Sequence, residues 1–175
     1  VCVLMSHGSE NTIEGVDGKL AKIDELTKSF KENPSLNGKP KIFFIQACRG
    51  SVEMDSIPNA TGQKDSCVQP DTRLGTSNQL KEADLLIQYS TVLGYVSWRD
   101  PSSGSWFIQS LASTLLEKGQ TESLNNLTTE VHRKVVDYCT QSNVDSKQCA
   151  NINHTLLKDV YFRSKNKLWN KYSVK

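Results

Sequence analysis

Two short apolar runs stand out against a polar background: Val1-Cys2-Val3-Leu4-Met5 runs into Ser6-His7-Gly8, and Ile42-Phe43-Phe44-Ile45 runs into Gln46-Ala47-Cys48-Arg49-Gly50. Continuous runs of this length, rich in branched and aromatic types, read as strands buried on both faces, the kind that build parallel sheets. Between them, Ser9 to Gly18 is polar and glycine-bearing and reads as a loop or small hairpin, while Leu20, Ile23, Leu26 and Phe30 share one face of a helix. Asn33-Pro34 and Asn37-Gly38-Lys39-Pro40 are turn chemistry that delivers the chain into a strand over Lys41 to Ile45. A strand, a crossover helix and a second parallel strand make a right-handed unit in nearly all cases, so the two apolar runs are expected side by side.

Downstream, Asp84 to Ser90 reads as a third core strand and Gly94 to Pro101 as a strand-to-loop segment. Ser105 is placed to cap a helix whose apolar face is Phe107, Ile108, Leu111, Leu115 and Leu116, ending near Gly119. A second helix spans Ser123 to about Cys139 with Leu124, Leu127, Val131 and Val135 inward, and Leu156 to Phe162 reads as a last strand. The segment Ser51 to Asn78 is polar, holds Pro58, Gly62, Pro70 and Gly75, and shows no periodicity. So long a stretch inside a compact domain reads as a lid, a cleavable linker or a surface loop.

Composition narrows the classes. A chain of 175 residues suffices for one domain with a sizeable core, and a net charge of +2 gives no argument for nucleic acid or a membrane surface. No apolar run approaches the ~18 residues of a membrane span, and no basic stretch precedes the first apolar run, so a cytoplasmic protein is expected. The five cysteines form an odd set without a C-x-x-C pair; reduced thiols fit best, although Cys139 and Cys149 could in principle bond. With His7, His132 and His154 as the imidazoles and no metal-ligand spacing, neither a metal nor a cofactor is called for. Val1 opens directly inside a strand, so the chain reads as part of something longer.

Functional groups in parallel sheets gather at the carboxyl ends of strands, and here those ends carry His7 and Cys48. An imidazole beside a thiol favours the thiolate and manages protons, the requirement for a cysteine nucleophile. Gly8 would let substrate approach the backbone and aim an N–H at an oxyanion alongside that of Cys48. A buried thiol and a satisfied histidine at strand ends are the alternative.

The full string Gln46-Ala47-Cys48-Arg49-Gly50 decides between them, because it resembles the signature of the caspases, aspartate-specific cysteine proteases whose histidine lies roughly 50 residues upstream. Ser6-His7-Gly8 resembles the family's histidine motif, Asn37 to Lys41 the approach to its catalytic strand, and Ser97-Trp98-Arg99-Asp100-Pro101 with Gly104-Ser105-Trp106 its substrate loop. The similarity runs from Val1 to about Phe162.

The resemblance implies an α/β three-layer sandwich with a mostly parallel sheet, its N-terminal part missing from this chain. It implies the end of a large subunit over 1–50, an intersubunit linker over 51–78, a small subunit over 79–163 and a basic tail over 164–175. Cys48 would be the nucleophile, His7 the acid and base, and Gly8 and Cys48 the oxyanion donors. Gln46 and Arg99 match two of three groups that take the aspartate, since a guanidinium fork binds a carboxylate and rejects a cation. The third, an arginine further upstream, has no counterpart, so these residues alone are expected to be unstable or inactive.

Ser97 and Arg99 would also hold substrate backbone, Trp98 and Trp106 would line the second and fourth subsites unless they only fill core, and Val96 leaves the second subsite open, an initiator-like trait. Cleavage after Asp71, or after Asp55 or Asp65, would separate the subunits. Implied partners are proteins with exposed aspartate sites, a second copy in a homodimer of large/small heterodimers joined through the last strand, and adaptor or inhibitor proteins. The implied role is apoptosis or a related cascade. A catalytically silent relative acting by binding is the alternative; a clan member with basic specificity would conflict with Arg99.

Overall fold

The computed structural model describes residues 1–54, 82–141 and 146–163. Strand β1 (Cys2–Met5) leads into three short strands, β2 (Gly8–Ser9), β3 (Thr12–Glu14) and β4 (Leu20–Lys22), and then helix α1 (Ile23–Lys31). Strands β5 (Lys41–Gln46) and β6 (Leu85–Tyr89) follow, then the hairpin β7 (Arg99–Asp100) and β8 (Gly104–Ser105). Helices α2 (Trp106–Lys118) and α3 (Leu124–Gln141) precede the last strand, β9 (Asn151–His154). The main sheet has the order β1-β5-β6-β9. Its first two pairings are parallel and β9 runs antiparallel to β6.

This is the expected mostly parallel sheet between helical layers, and the period of two along β5 assigns the layers. Ile42 and Phe44 face a core with Leu86, Phe107, Leu111, Leu124, Val131 and Val135, the inward stripes of α2 and α3. Phe43 and Ile45 face the opposite core with Ile13, Ile23, Leu85 and Ile87, partly covered by Leu26 of α1. Phe30 of α1 meets Phe43 edge to face, with ring centroids 5.1 Å apart. Ser105 caps α2 as expected: its hydroxyl oxygen accepts from the Ile108 N–H at 3.2 Å.

Four expectations need correction. The first apolar run is not buried on both faces: β1 alternates, with Cys2 and Leu4 against the core and Val3 and Met5 exposed, because α2 and α3 cover β5 and β6 instead. Leu20 lies in β4 and is exposed, because pairing with β3 keeps the chain extended until Ile23 donates its N–H to Asn11 O at 2.9 Å. Leu116 is exposed, because helical rotation of about 100° per residue carries it to the face opposite Phe107.

The last strand is β9, at Asn151–His154, and not Leu156 to Phe162. The later segment belongs to no sheet. Its Val160 carbonyl accepts the Leu124 N–H at 2.7 Å and so caps the start of α3, while Leu156, Val160 and Phe162 pack onto the α2–α3 core. Cys149 is a free thiol, as are Cys2 and Cys48, so the conceivable Cys139–Cys149 bond is not formed. No helix among the described residues is long and apolar enough to cross a membrane.

Phe107 is fully buried where α2 meets β5 and β6. Phe107→Ala is expected to destabilise the protein by about 3–5 kcal/mol, read from chemical denaturation, and a loss below ~1 kcal/mol would contradict this packing.

Candidate active site

Parallel pairing of β1 with β5 runs from Cys2 opposite Phe43 to Met5 opposite Gln46, and the Ser6 N–H extends it to Gln46 O at 3.1 Å. His7 and Cys48 therefore leave adjacent strands at the same carboxyl edge. Gly8 then runs close against the 47–48 backbone and Thr12: a methyl group there would lie 2.5 Å from Thr12 O, 3.0 Å from Ala47 Cβ and 3.1 Å from Cys48 O. Only glycine permits that approach. His7 is exposed, and its carbonyl accepts the Glu14 N–H at 2.8 Å.

Each residue of the pentapeptide has a separate structural task. Gln46 donates through Nε2 to Ser97 Oγ at 2.7 Å, while its buried Oε1 has no partner. Ala47 is clamped by the buried Ser90 hydroxyl, which receives the Ala47 N–H at 3.3 Å and donates to the Ala47 carbonyl at 3.1 Å. The Cys48 sulfur is half-buried, receives the Ser97 N–H at 3.4 Å and lies 3.9 Å from Ser97 O.

Arg49 is buried, and its guanidinium lies 3.8 Å from the centre of the Tyr89 ring. Its Nε donates to Glu10 O at 3.4 Å, Nη1 to Thr91 O at 3.4 Å and Nη2 to Asn11 Oδ1 at 3.2 Å. No carboxylate is among these partners. Burial pushes the guanidinium pKa down, partly offset by Tyr89, whose hydroxyl burial pushes up. Gly50 meets the backbone of Gly94: an added methyl would fall 2.1 Å from Gly94 O.

The substrate-loop residues sit around this edge. Val96 is half-buried and donates its N–H to Val52 O at 3.0 Å. Trp98 donates from its backbone to Gln148 Oε1 at 2.6 Å and from Nε1 to Lys147 O at 3.2 Å. Its ring stacks on that of Trp106 with centroids 6.4 Å apart. Arg99 is exposed in β7, paired with Ser105 of β8, and the turn between them is closed by Asp100, whose Oδ1 accepts from the Ser102 hydroxyl and from the N–H groups of Ser102 and Ser103. Those bonds, the hydroxyl's first, hold the Asp100 carboxyl down at about 2.

Cys48, Gly8, Gln46 and Ser97 are thus brought together, with Val96 and Trp98 next to Ser97 in the chain and Trp106 behind Trp98. Among the described residues no hydrogen bond joins the His7 imidazole to the Cys48 sulfur. Asp55, Asp65 and Asp71 lie outside the described residues.

Sequence reasoning assigned no task to Arg49, Ser90 or Gln148. Gln148 is buried and spends its amide on both sides of the site, donating to Ser90 O at 2.8 Å while accepting from Trp98. It is fixed by its own N–H, which reaches the buried Cys139 sulfur at 3.1 Å. Its only sequence signal was a polar residue between two cysteines, which carries no direction.

Comparison with known proteins agrees with this geometry. The profile described as the caspase domain matches residues 1–161. Caspase-7 of Gallus gallus is 40% identical over 168 residues, covering 92% of this chain and 54% of that protein. Caspase-3 of Mesocricetus auratus is 41% identical over 170 residues, covering 93% of this chain and 58% of that protein. A crystal structure of caspase-1 from Spodoptera frugiperda superposes with a TM-score of 0.76 at 32% identity, covering 95% of this chain and 64% of that one. The chain belongs to the caspase family. It spans about half the length of these curated relatives.

Gly50→Ala drives a methyl group into the Gly94 backbone, which cannot swing aside as a side chain can. The variant is expected to lose about 1–3 kcal/mol of stability in a denaturant titration of the complete protein, whereas an unchanged midpoint would show that the two loops are not locked together.

Proposed function

We propose that this chain is the core of a caspase-type cysteine endopeptidase that cleaves proteins after aspartate. The observation that carries the reading is the β1–β5 register, which sends His7 and Cys48 out of one sheet edge with Gly8 packed against Cys48. In the reaction His7 takes the Cys48 thiol proton and the sulfur attacks the scissile carbonyl carbon. The N–H groups of Gly8 and Cys48 hold the oxyanion, and His7 gives a proton to the leaving amine. The thioester is then hydrolysed by water that yields a proton to His7, releasing the new carboxyl end and the thiol.

For the sulfur to attack, its contacts with the Ser97 backbone must open, which frees the Ser97 N–H for a substrate carbonyl. Gln46 and Arg99 take the aspartate side chain. Ser97 Oγ can donate as well as accept, so turning the Gln46 amide over keeps that bond and places an N–H2 donor where Oε1 now lacks a partner. Val96 and Trp98 form the second subsite, and Val96 leaves it open, as in initiator members. Cleavage in the 51–78 linker and pairing of two large/small units through the last strand activate the protein, with adaptors or inhibitors acting on that assembly in a cytoplasmic apoptotic cascade.

A silent, binding-only relative is the second reading. It is favoured by the absence of a hydrogen bond between His7 and Cys48.

The two readings separate on peptides that differ only in Asp, Glu, Asn or Lys at the first position. Asp is expected to be preferred over Lys by at least about a hundredfold in kcat/KM, the worth of two charge-assisted hydrogen bonds. Cys48→Ala is expected to abolish cleavage. Equal cleavage after Lys, or activity surviving Cys48→Ala, would end the proposal, and no cleavage by the native protein would favour the silent relative.

Asp71 is the first choice for the processing site, since of the three aspartates it lies nearest in sequence to β6. Asp71→Ala is expected to remove the corresponding fragment from an immunoblot, and the same fragment persisting would move the cut to Asp55 or Asp65.

A further inference from the structure

The small sheet that follows Gly8 is joined to the catalytic edge through its backbone. The Glu14 N–H donates to the His7 carbonyl at 2.8 Å, and the Glu14 carbonyl accepts the Ser6 hydroxyl at 2.8 Å. The first of these bonds carries the β2–β3 register, in which Gly8 stands opposite Ile13, one residue further, so that His7 stands opposite Glu14. Glu14 in turn stands opposite Leu20 of β4. Residues directly opposite one another in antiparallel strands share a face. Ile13 and Ala21 turn toward the α1-side core, so His7, Glu14 and Leu20 form one row on the other face.

The order of the main sheet says what passes over this row. Cys48 leaves β5, which lies between β1 and β6. Ser97, which follows β6, touches the sulfur, whereas Gly8, which follows β1, packs against the Cys48 carbonyl. A peptide whose residues before the cleaved bond lie along the 97–99 segment carries the residues after it over the β1 side, past His7 and onto Glu14. Glu14 is half-buried, and among the described residues no ion pair or hydrogen bond reaches its carboxylate. The lysines of the same sheet are engaged elsewhere: Lys19 Nζ lies 3.2 Å from Asp17 Oδ2 and Lys22 Nζ 4.0 Å from Glu25 Oε1. Leu20 is 59% exposed. A carboxylate beside open apolar surface complements a side chain with an aliphatic stem and a cationic head. We propose that Glu14 and Leu20 are specificity-determining residues that select lysine or arginine within the first two positions after the cleaved bond. Opposite residues stand about 5 Å apart at Cβ, a step that an extended chain covers in about one and a half residues. An acidic side chain arriving there meets Glu14 at like charge and is rejected.

This inference rests on the aspartate-cleaving reading above, and one experiment tells the two apart. The complete, processed protein is assayed on peptides that share the aspartate and everything before it and carry Lys, Ala or Glu at both positions after the cleaved bond. In the native protein kcat/KM is expected to fall in the order Lys, Ala, Glu, with Lys ahead of Glu by at least about tenfold and the gap narrowing as salt is raised. Glu14→Gln is expected to lower the Lys-to-Glu ratio about fivefold, and Glu14→Lys to reverse the order, which a merely structural role for Glu14 would not do. Leu20→Ser is expected to lower the Lys-to-Ala ratio while leaving Glu disfavoured.

Cleavage after aspartate with a Lys-to-Glu ratio that Glu14→Gln leaves within twofold overturns the role of Glu14 while the proposed function stands. A native preference for Glu over Lys overturns it in the same way. No cleavage of any of the three peptides by the native protein takes down the reading and the inference together.

Discussion

Strand β5 has neither a free edge nor a free face. Its backbone is paired by β1 on one side and β6 on the other, and its side chains alternate between two cores. A strand enclosed in this way has one register open to it, because a slip by one residue would exchange Ile42 and Phe44 with Phe43 and Ile45 and mismatch both helical layers. That constraint fixes where β5 ends, and so where Cys48 emerges. It also fixes β1, whose pairing with β5 delivers Ser6, His7 and Gly8 to the same height. The placement of the candidate site is therefore a property of the sheet rather than of the loops that decorate it.

The loops depend on a few buried polar groups. Arg49 joins the turn at Glu10 and Asn11 to the end of β6 through hydrogen bonds to oxygen and a ring face. Ser90 and Gln148 do the same work from below, one under Ala47 and the other between Ser90 and Trp98. Unpaired, any of these groups would be costly to bury. Paired, they hold segments far apart in the chain around one sulfur atom.

Much of the fold was legible from local pattern. β5 and β6 announce themselves as unbroken apolar runs, and α2 and α3 as stripes repeating at helical spacing, because burial on a sheet or a helix leaves a periodic trace. The short strands β2 to β4 showed only as the glycine-bearing stretch Ser9 to Gly18, read as a loop or small hairpin, since two or three residues are too few to show an alternation. β9 was missed for a different reason: Asn151-Ile152-Asn153-His154 looks less apolar than Leu156 to Phe162, yet it is the one that pairs with β6, while the later segment packs side chains and caps α3. At the site, Cys48, His7 and Gln46 were legible because they sit in short contiguous motifs. Ser90 and Gln148 were not, because their tasks lie in contacts between residues tens of positions apart.

The back-to-back contact of Gly50 and Gly94 has a mechanical consequence. With no side chain between them, the Cys48 loop and the 91–98 segment are joined backbone to backbone, and Arg49 pins the pair to the turn beyond Gly8. The thiol is thus borne on a doubled layer of main chain, stiffer than either loop would be by itself.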